Sequence, residues 1–122
     1  MTAVLVFLGA AIGAPARYLA DRAVQNRHDS GFPWGTLSVN ALGSLVLGGL
    51  SGTGLGSSSP VMALLGVGFC GALTTFSTFG FETVRLAEDR AHLRAAANIV
   101  VSVVAAVGAA SLGHAAVHAL VA

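Results

Sequence analysis

The feature that most constrains this chain is a long uncharged stretch, since no Asp, Glu, Lys or Arg occurs between Ser30 and Glu82. Charged residues make up 9% of the 122 residues, whereas soluble domains carry about 25%. So few charges do not cover a water-facing surface, and the composition therefore excludes an ordinary soluble domain. The net charge of +1 also leaves no basic surface for nucleic acid. We therefore predict that the chain lies in a lipid bilayer.

Four apolar runs predict an all-α membrane protein with four transmembrane helices. These helices form a single transmembrane domain over residues 1–122. A spanning helix needs about 20 residues, and the predicted helices cover about residues 3–23, 34–50, 60–84 and 95–121. Because no basic residues precede the first run, we interpret it as a helix of the mature protein and not as a secretory signal.

All six arginines fall on one side of this predicted topology, in or next to the two polar loops that follow the first and third helices. The positive-inside rule places both loops in the cytoplasm and both termini outside. Small residues recur at four-residue spacing, as Gly9 with Gly13 and Gly48 with Gly52. This spacing predicts close helix packing in lipid, and four thin helices favour an oligomer.

The segment GFCGALTTFSTFG, residues 68–80, puts glycines and hydroxyls in the middle of the third predicted helix. Two interpretations are open from these residues. Glycines and β-branched threonines make a poor helix, and a break would free carbonyl oxygens that suit a small cation such as Na⁺. Alternatively, the helix continues and its hydroxyls bond to carbonyls one turn earlier.

Phenylalanines alternate with hydroxyls in the same segment. Phe76 and Phe79 share a helical face, and Thr75, Ser77 and Thr78 lie beside them. The edge of a phenyl ring is electropositive, so ring edges and hydroxyl donors together form an uncharged lining that a small anion can enter and leave. The alternative is ordinary aromatic packing.

Polar residues also follow one face of the second and fourth predicted helices. Asn40 has Thr36 one turn before it and Ser44 one turn after it, and Asn98 and Ser102 repeat the spacing in the fourth helix. A buried amide needs hydrogen-bond partners. The stripe around Asn40 favours a pathway over a single bond between helices, which is the alternative.

The remaining candidate residues carry weaker signals. Arg17, near the end of the first helix, is expected to have a structural role and to attract anions to the entrance of the polar pathway. His114 and His118 have the spacing of a metal pair, but no third ligand is visible, and packing is the simpler interpretation. Cys70 is the only cysteine and forms no internal disulfide. Since the sequence has no nucleophile–base arrangement, P-loop or carboxylate pair, we expect no enzymatic activity.

Three motifs resemble those of a known family: GAPARY (13–18), PWGTLSVNALGS (33–44) and GFCGALTTFSTFG (68–80). They are similar to the signatures of the Fluc/CrcB fluoride channels, and the likeness extends over the whole chain. The resemblance implies a fluoride-selective channel of the cell membrane that exports cytoplasmic F⁻ by passive electrodiffusion. It also implies an antiparallel, dual-topology dimer with two pores and a break in helix three.

The resemblance further implies roles for particular residues. A structural Na⁺, which is not transported, is implied at the backbone carbonyls of Gly71 and Thr74. The implied fluoride pathway comprises Asn40, Phe76, Phe79, Thr75, Ser77, Thr78 and Ser102.

The arginine distribution bears on the implied dimer. An antiparallel homodimer requires each chain to insert in both orientations, whereas here all six arginines lie on one side. The partner is therefore either a second copy of this chain or a homologous chain of opposite topology.

Two other classes share parts of the pattern. A small multidrug-type four-helix transporter is expected to carry an acidic residue in its first helix, and none lies between Thr2 and Leu19. A non-transporting scaffold subunit explains the small-residue spacing, but it leaves the polar stripe around Asn40 without a purpose.

Overall fold

The computed structural model describes residues 2–27, 31–54, 56 and 59–121. Residues 28–30 of the first predicted polar loop, residues 55, 57 and 58 of the turn after the second helix, and the two terminal residues lie outside the described residues. Over the described ranges the chain is all-helical, with four helices and no strand. This confirms the predicted helical class.

The first two helices are α1 (Thr2–Gln25) and α2 (Trp34–Gly52). The third helix, Met62–Glu88, contains a π-helical segment (Met62–Cys70), α3 (Gly71–Leu73) and α4 (Ser77–Glu88). The last helix, α5 (His92–Val121), begins three residues before the predicted start at about residue 95.

Three of these helices are long and apolar enough to cross a membrane: Thr2–Gln25, Met62–Glu88 and His92–Val121. The 19-residue α2 is not among them. Its polar face, with Thr36, Asn40 and Ser44, lowers its mean hydropathy. The helix that carries the predicted pathway stripe thus has a lower mean hydropathy than the three candidate spans.

The outer faces of the bundle are apolar. Phe7 and Leu19 on α1 are 71% and 68% exposed, and Leu93 and Leu120 on α5 are each 84% exposed. Soluble monomers rarely expose contiguous apolar surface on this scale. These faces therefore suit acyl chains or another membrane subunit.

The helices approach each other closely where glycines face a neighbouring backbone, as the small-residue spacing predicted. A Cβ atom added at Gly48 of α2 would collide with the carbonyl oxygen of Ala110 on α5, and one at Gly52 would lie 2.5 Å from the carbonyl oxygen of His114. On the other side of the bundle, a Cβ at Gly9 would lie 2.8 Å from the backbone nitrogen of Phe69. Such distances leave no room for a side chain.

The third helix changes its backbone geometry along its length. Its π-helical start is wider than an α-helix and is a geometry that often accompanies functional sites. Helical geometry ends at Leu73, Thr74 has an extended backbone (φ −80°, ψ 160°), and α4 starts at Ser77. This geometry positions the polar residues of the segment against α2.

The C-terminus of α4 is closed by a two-bond motif. The amide of Ala91 donates to the carbonyl of Leu86 at 2.8 Å, and the amide of Arg90 donates to the carbonyl of Ala87 at 3.1 Å. This is the Schellman pattern, whose C′ residue adopts a left-handed conformation and is usually glycine. Here Arg90 occupies that position with φ 62°.

Candidate functional site

A cavity of about 600 Å³ lies between α2, the third helix and α5. None of the described residues that line it carries a charged side chain. The lining includes seven residues that the sequence analysis selected: Asn40, Gly71, Thr74, Thr75, Phe76, Phe79 and Ser102. The fold thus brings most of the predicted pathway and both predicted cation-site residues to one cavity.

Asn40 joins α2 to the extended stretch of the third helix by two hydrogen bonds to one residue. Its side-chain Nδ2 donates to the carbonyl oxygen of Thr75 at 3.0 Å, and its Oδ1 accepts from the amide of Thr75 at 2.7 Å. Because one bond needs a donor and the other an acceptor, the pair fixes the orientation of the amide group. The second N–H of Nδ2 is left for a further acceptor.

These contacts redirect the backbone amides that a continuous helix would use internally. In an α-helix the amide of Thr75 would bond to the carbonyl of Gly71, and the amide of Thr78 to the carbonyl of Thr74. Here the amide of Thr75 donates to Asn40, and the amide of Thr78 donates to Thr75 Oγ1 at 3.1 Å. The carbonyl oxygens of Gly71 and Thr74 therefore lose their regular helical donors.

The hydroxyl of Thr74 shows the pattern of the other sequence interpretation. Its Oγ1 donates to the carbonyl of Cys70 at 2.9 Å, and its amide donates to the same oxygen at 3.0 Å. The side-chain bond to the carbonyl one turn earlier lies at the end of the preceding helical segment. It also keeps a polar hydroxyl satisfied in an apolar surrounding.

The two phenyl rings lie together at the cavity. The ring centroids of Phe76 and Phe79 are 5.9 Å apart, and their planes are tilted by 45°. Phe76 is 82% exposed, whereas Phe79 is half-buried. Phe76 therefore faces outward from this chain, towards lipid or a second chain.

Three of the predicted residues do not line the cavity. Ser77 and Thr78 belong to the first turn of α4. Arg17 is half-buried on α1, and its Nε is buried without a hydrogen-bond partner among the described residues. Their predicted roles in the pathway and in attracting anions remain predictions.

A second chain of polar side chains leads away from the cavity towards the end of the bundle where the arginines lie, which we call the arginine end. Ser102 Oγ donates to Asn98 Oδ1 at 3.3 Å, and Asn98 Nδ2 donates to Thr83 Oγ1 at 2.8 Å. Thr83 Oγ1 in turn donates to the carbonyl of Phe79 at 2.9 Å. Asn98 is only 1% exposed, so this chain of bonds satisfies its buried amide and links α5 to α4.

Sequence reasoning missed Glu82 as part of the site. Thr36 Oγ1 donates to Glu82 Oε1 at 2.6 Å. Glu82 also lines a smaller cavity of about 290 Å³ at the arginine end, together with Arg85 and Asp89. A usable signal existed, because Glu82 is the first charge after the uncharged stretch and follows Phe79 by three positions on one helical face.

Comparison with known proteins agrees with the motifs. The profile of the family described as "CrcB-like protein, Camphor Resistance (CrcB)" matches residues 4–114. A protein of Frankia casuarinae named "Fluoride-specific ion channel FluC 1" is 57% identical, over 94% of this chain and 95% of its own. A protein of the same name from Streptomyces avermitilis is 55% identical, over 93% of both chains. "Fluoride-specific ion channel FluC 2" of Mycobacterium tuberculosis is 50% identical, over 89% of this chain and 85% of its own. The profile match and these identities establish that the chain belongs to the CrcB family.

Proposed function

We propose that this chain is the subunit of a fluoride-selective channel, a multi-pass protein of the cell membrane through which cytoplasmic F⁻ leaves by passive electrodiffusion. Its membership of the CrcB family and its high identity to proteins named fluoride-specific ion channels support this function. The observation that carries it is the uncharged cavity that both phenyl rings and the Asn40 side chain line together. The chain acts as a channel and not as an enzyme.

The cavity has the chemistry that a permeating anion needs. Electropositive ring edges and the second N–H of Asn40 can replace part of the water around a small anion. Because no lining side chain among the described residues carries a positive charge, the anion is not held tightly and can leave again. Fluoride is the halide best suited to such short, strong hydrogen bonds.

The driving force comes from the membrane potential and needs no coupling residue. Fluoride enters an acid-exposed cell as neutral HF and ionises inside. A potential that is negative inside then favours the exit of one negative charge by about 2.3 kcal/mol per 100 mV. An open, selective pathway is sufficient to lower cytoplasmic fluoride.

We include in the proposal a structural Na⁺ held by the backbone carbonyls of Gly71 and Thr74. These residues fit such an ion, because both carbonyl oxygens lose their helical donors and a hard cation prefers oxygen ligands. Gly71 is exposed, and apart from its own helical turn no described residue has an atom within 4 Å of where its Cβ would be. A bound Na⁺ would supply positive charge that holds these oxygens in a fixed arrangement.

The channel is proposed to be an antiparallel dimer in which α2 also spans the membrane. Hard cations take about six oxygen ligands, so two carbonyls from one chain do not complete the site, and a second chain would supply two more. The outward-facing Phe76, at 82% exposure, also suits burial against that chain. The one-sided arginines favour a homologous partner of opposite topology over a second copy.

An efflux assay tests the function. Liposomes containing the purified chain, alone or with such a homologous partner, are followed with a fluoride electrode and then a chloride electrode. We expect fast fluoride efflux without chloride efflux. Replacing Phe76 or Phe79 by Ile should slow fluoride efflux by up to about tenfold, since ring contacts contribute up to about 1.5 kcal/mol.

Phe81→Ile is the matched control, because Phe81 is exposed by 64% and does not line the cavity. It should conduct as the wild type does. Equal efflux of chloride and fluoride would reject the proposed selectivity. If the Phe76 variant fails to assemble, instead of assembling and conducting less fluoride, the result would favour a scaffold subunit. Purification with Na⁺ replaced by a large organic cation tests the cation site, with loss of the dimer expected.

A further inference from the structure

Two exposed histidines lie side by side near the C-terminus of α5. His114 and His118 are separated by one helical turn, their ring centroids are 5.7 Å apart and their planes are within 9° of parallel. Both side chains are exposed, so neither is explained by core packing. The proposed fluoride pathway does not use them.

A hydrogen bond fixes which nitrogen of His114 carries the proton. Ser51 Oγ donates its single proton to the carbonyl of Gly48 at 2.6 Å and lies 2.9 Å from His114 Nδ1. Since that hydroxyl proton is already used, we assign the imidazole proton to Nδ1 of His114, which then donates to Ser51 Oγ. The neutral ring therefore presents the lone pair of Nε2 outward. Metal-binding histidines are held in this manner by a bond to their other nitrogen.

The pair lies at the end of the bundle opposite the arginines. His114 follows Arg94 along α5 by a rise of about 30 Å, which is about the thickness of the hydrocarbon core. At this end the sequence has no Asp, Glu, Lys or Arg, either before Arg17, between residues 31 and 81, or after Arg94. No Asp, Glu, Lys or Arg side chain therefore lies beside the two imidazoles at this end.

We propose that His114 and His118 form a two-imidazole binding site for a divalent late transition-metal ion, such as Cu²⁺ or Zn²⁺, at the membrane surface opposite the arginine loops. Imidazole nitrogen selects this class of ion, whereas hard cations prefer oxygen ligands. Rotation of the exposed His118 ring brings its nitrogen towards the ion that His114 Nε2 holds. Water completes the coordination. The site is independent of fluoride conduction.

Copper titration of the tag-free protein, monitored by electron paramagnetic resonance, tests this site. The wild type should bind one Cu²⁺ per chain with the signature of two nitrogen ligands. His118→Asn should weaken binding by about 100-fold, because the second of two linked ligands is lost. Ser51→Ala should weaken it by about tenfold, since the tautomer of His114 is no longer fixed.

His92→Asn is the matched control, because His92 begins α5 at the opposite end of the same helix. It should bind Cu²⁺ as the wild type does. Size-exclusion chromatography checks that each variant keeps its assembly. Equal Cu²⁺ affinity of the wild type and His118→Asn would overturn the proposal. A loss of Cu²⁺ affinity in His92→Asn but not in His118→Asn would overturn it as well.

Discussion

Asn40 combines a structural role with its proposed role in permeation. Both of its hydrogen bonds go to the backbone of Thr75, across from α2 to the third helix. The reciprocal pair fixes the orientation of the amide, whose other N–H has no acceptor among the described residues, in the cavity that Phe76 and Phe79 also line.

Replacing Asn40 by Asp keeps the shape and removes the donor. The carboxylate then faces the carbonyl oxygen of Thr75, and we expect a loss of stability of about 1–3 kcal/mol, the cost of an unsatisfied buried polar group. Fluoride efflux should fall by more than tenfold, because a negative charge now lines the pathway. Electrode measurements on liposomes and denaturant titration give the two quantities.

Ser44→Ala is the control for Asn40→Asp. Ser44 lies one turn further along α2 and lines the same cavity, but replacing it by Ala adds no charge and removes no bond to Thr75. It should retain most of the fluoride efflux. If both variants conduct equally well, Asn40 has no special role in permeation.

The sequence predicted the types of residue at the site better than their contacts. Asn40 and Ser102 were selected because polar groups in an apolar helix need partners, and both line the cavity. The partner of Asn40 lies on another helix, and single-sequence periodicity carries no register between helices. Glu82 was missed for the same reason, because its bond to Thr36 joins residues 46 positions apart.

At the scale of helices, glycines set how closely α2 and α5 pack. A Cβ at Gly48 would overlap the carbonyl of Ala110, so the two backbones are in direct contact there. In lipid, such contact replaces the hydrophobic driving force that helices have in water. The spacing of small residues was sufficient to predict this contact, but it did not identify the partner helix.

Gly48→Ala should therefore destabilise the fold by about 1–3 kcal/mol, the usual cost of overpacking. Gly108→Ala on α5 is the matched control, since nothing lies within 4 Å of its added Cβ, and it should cause no loss. Unfolding in mixed detergent micelles, followed by circular dichroism, measures both. Equal stability of the two variants would refute the close contact at Gly48.

At the C-terminus of α4, a substitution is expected to stabilise the fold. Arg90 adopts a left-handed backbone at a position where glycine is usual, and a non-glycine residue there costs about 1 kcal/mol. Arg90→Gly should therefore raise the unfolding free energy by about that amount. Arg90→Ala removes the same charge but keeps the strain, so it separates the two effects. A gain in Arg90→Ala equal to that in Arg90→Gly would assign the effect to charge.

Helix bounds followed from composition within a few residues, but the internal geometry of the third helix did not. Its glycines and threonines indicated a weak helix. Nothing in them specified a π-helical segment over Met62–Cys70 or an extended Thr74. The extended stretch is held by hydrogen bonds between Thr75 and Asn40 of α2, a partner that lies 35 positions away in the sequence.

For the molecule as a whole, the decisive feature is the separation of charge. Every arginine lies at one end of the bundle, and the opposite end has only histidines as ionisable side chains apart from the termini. Arginine and lysine near helix ends determine the orientation of insertion. The chain should therefore insert in one orientation, with the two arginine-containing polar loops in the cytoplasm.

Fusion reporters at the C-terminus measure this orientation. A periplasmic alkaline phosphatase fusion should be active and a green fluorescent protein fusion dark, because the C-terminus is expected outside. Replacing Arg22, Arg27, Arg90 and Arg94 by Ser should produce a mixture of both signals. Both reporters active in the wild type would instead mean dual insertion, and the chain would then suffice for an antiparallel homodimer.

The bonds between Asn40 and Thr75 also have a consequence for the order of assembly. While the third helix is alone in lipid, the amide of Thr75 has no partner outside its own helix, and the bilayer penalises any unsatisfied amide. We therefore expect the segment to enter the membrane as an uninterrupted helix and to rearrange only when it docks against α2, which carries the Asn40 side chain. Insertion thus precedes docking, and the carbonyls of Gly71 and Thr74 become available last.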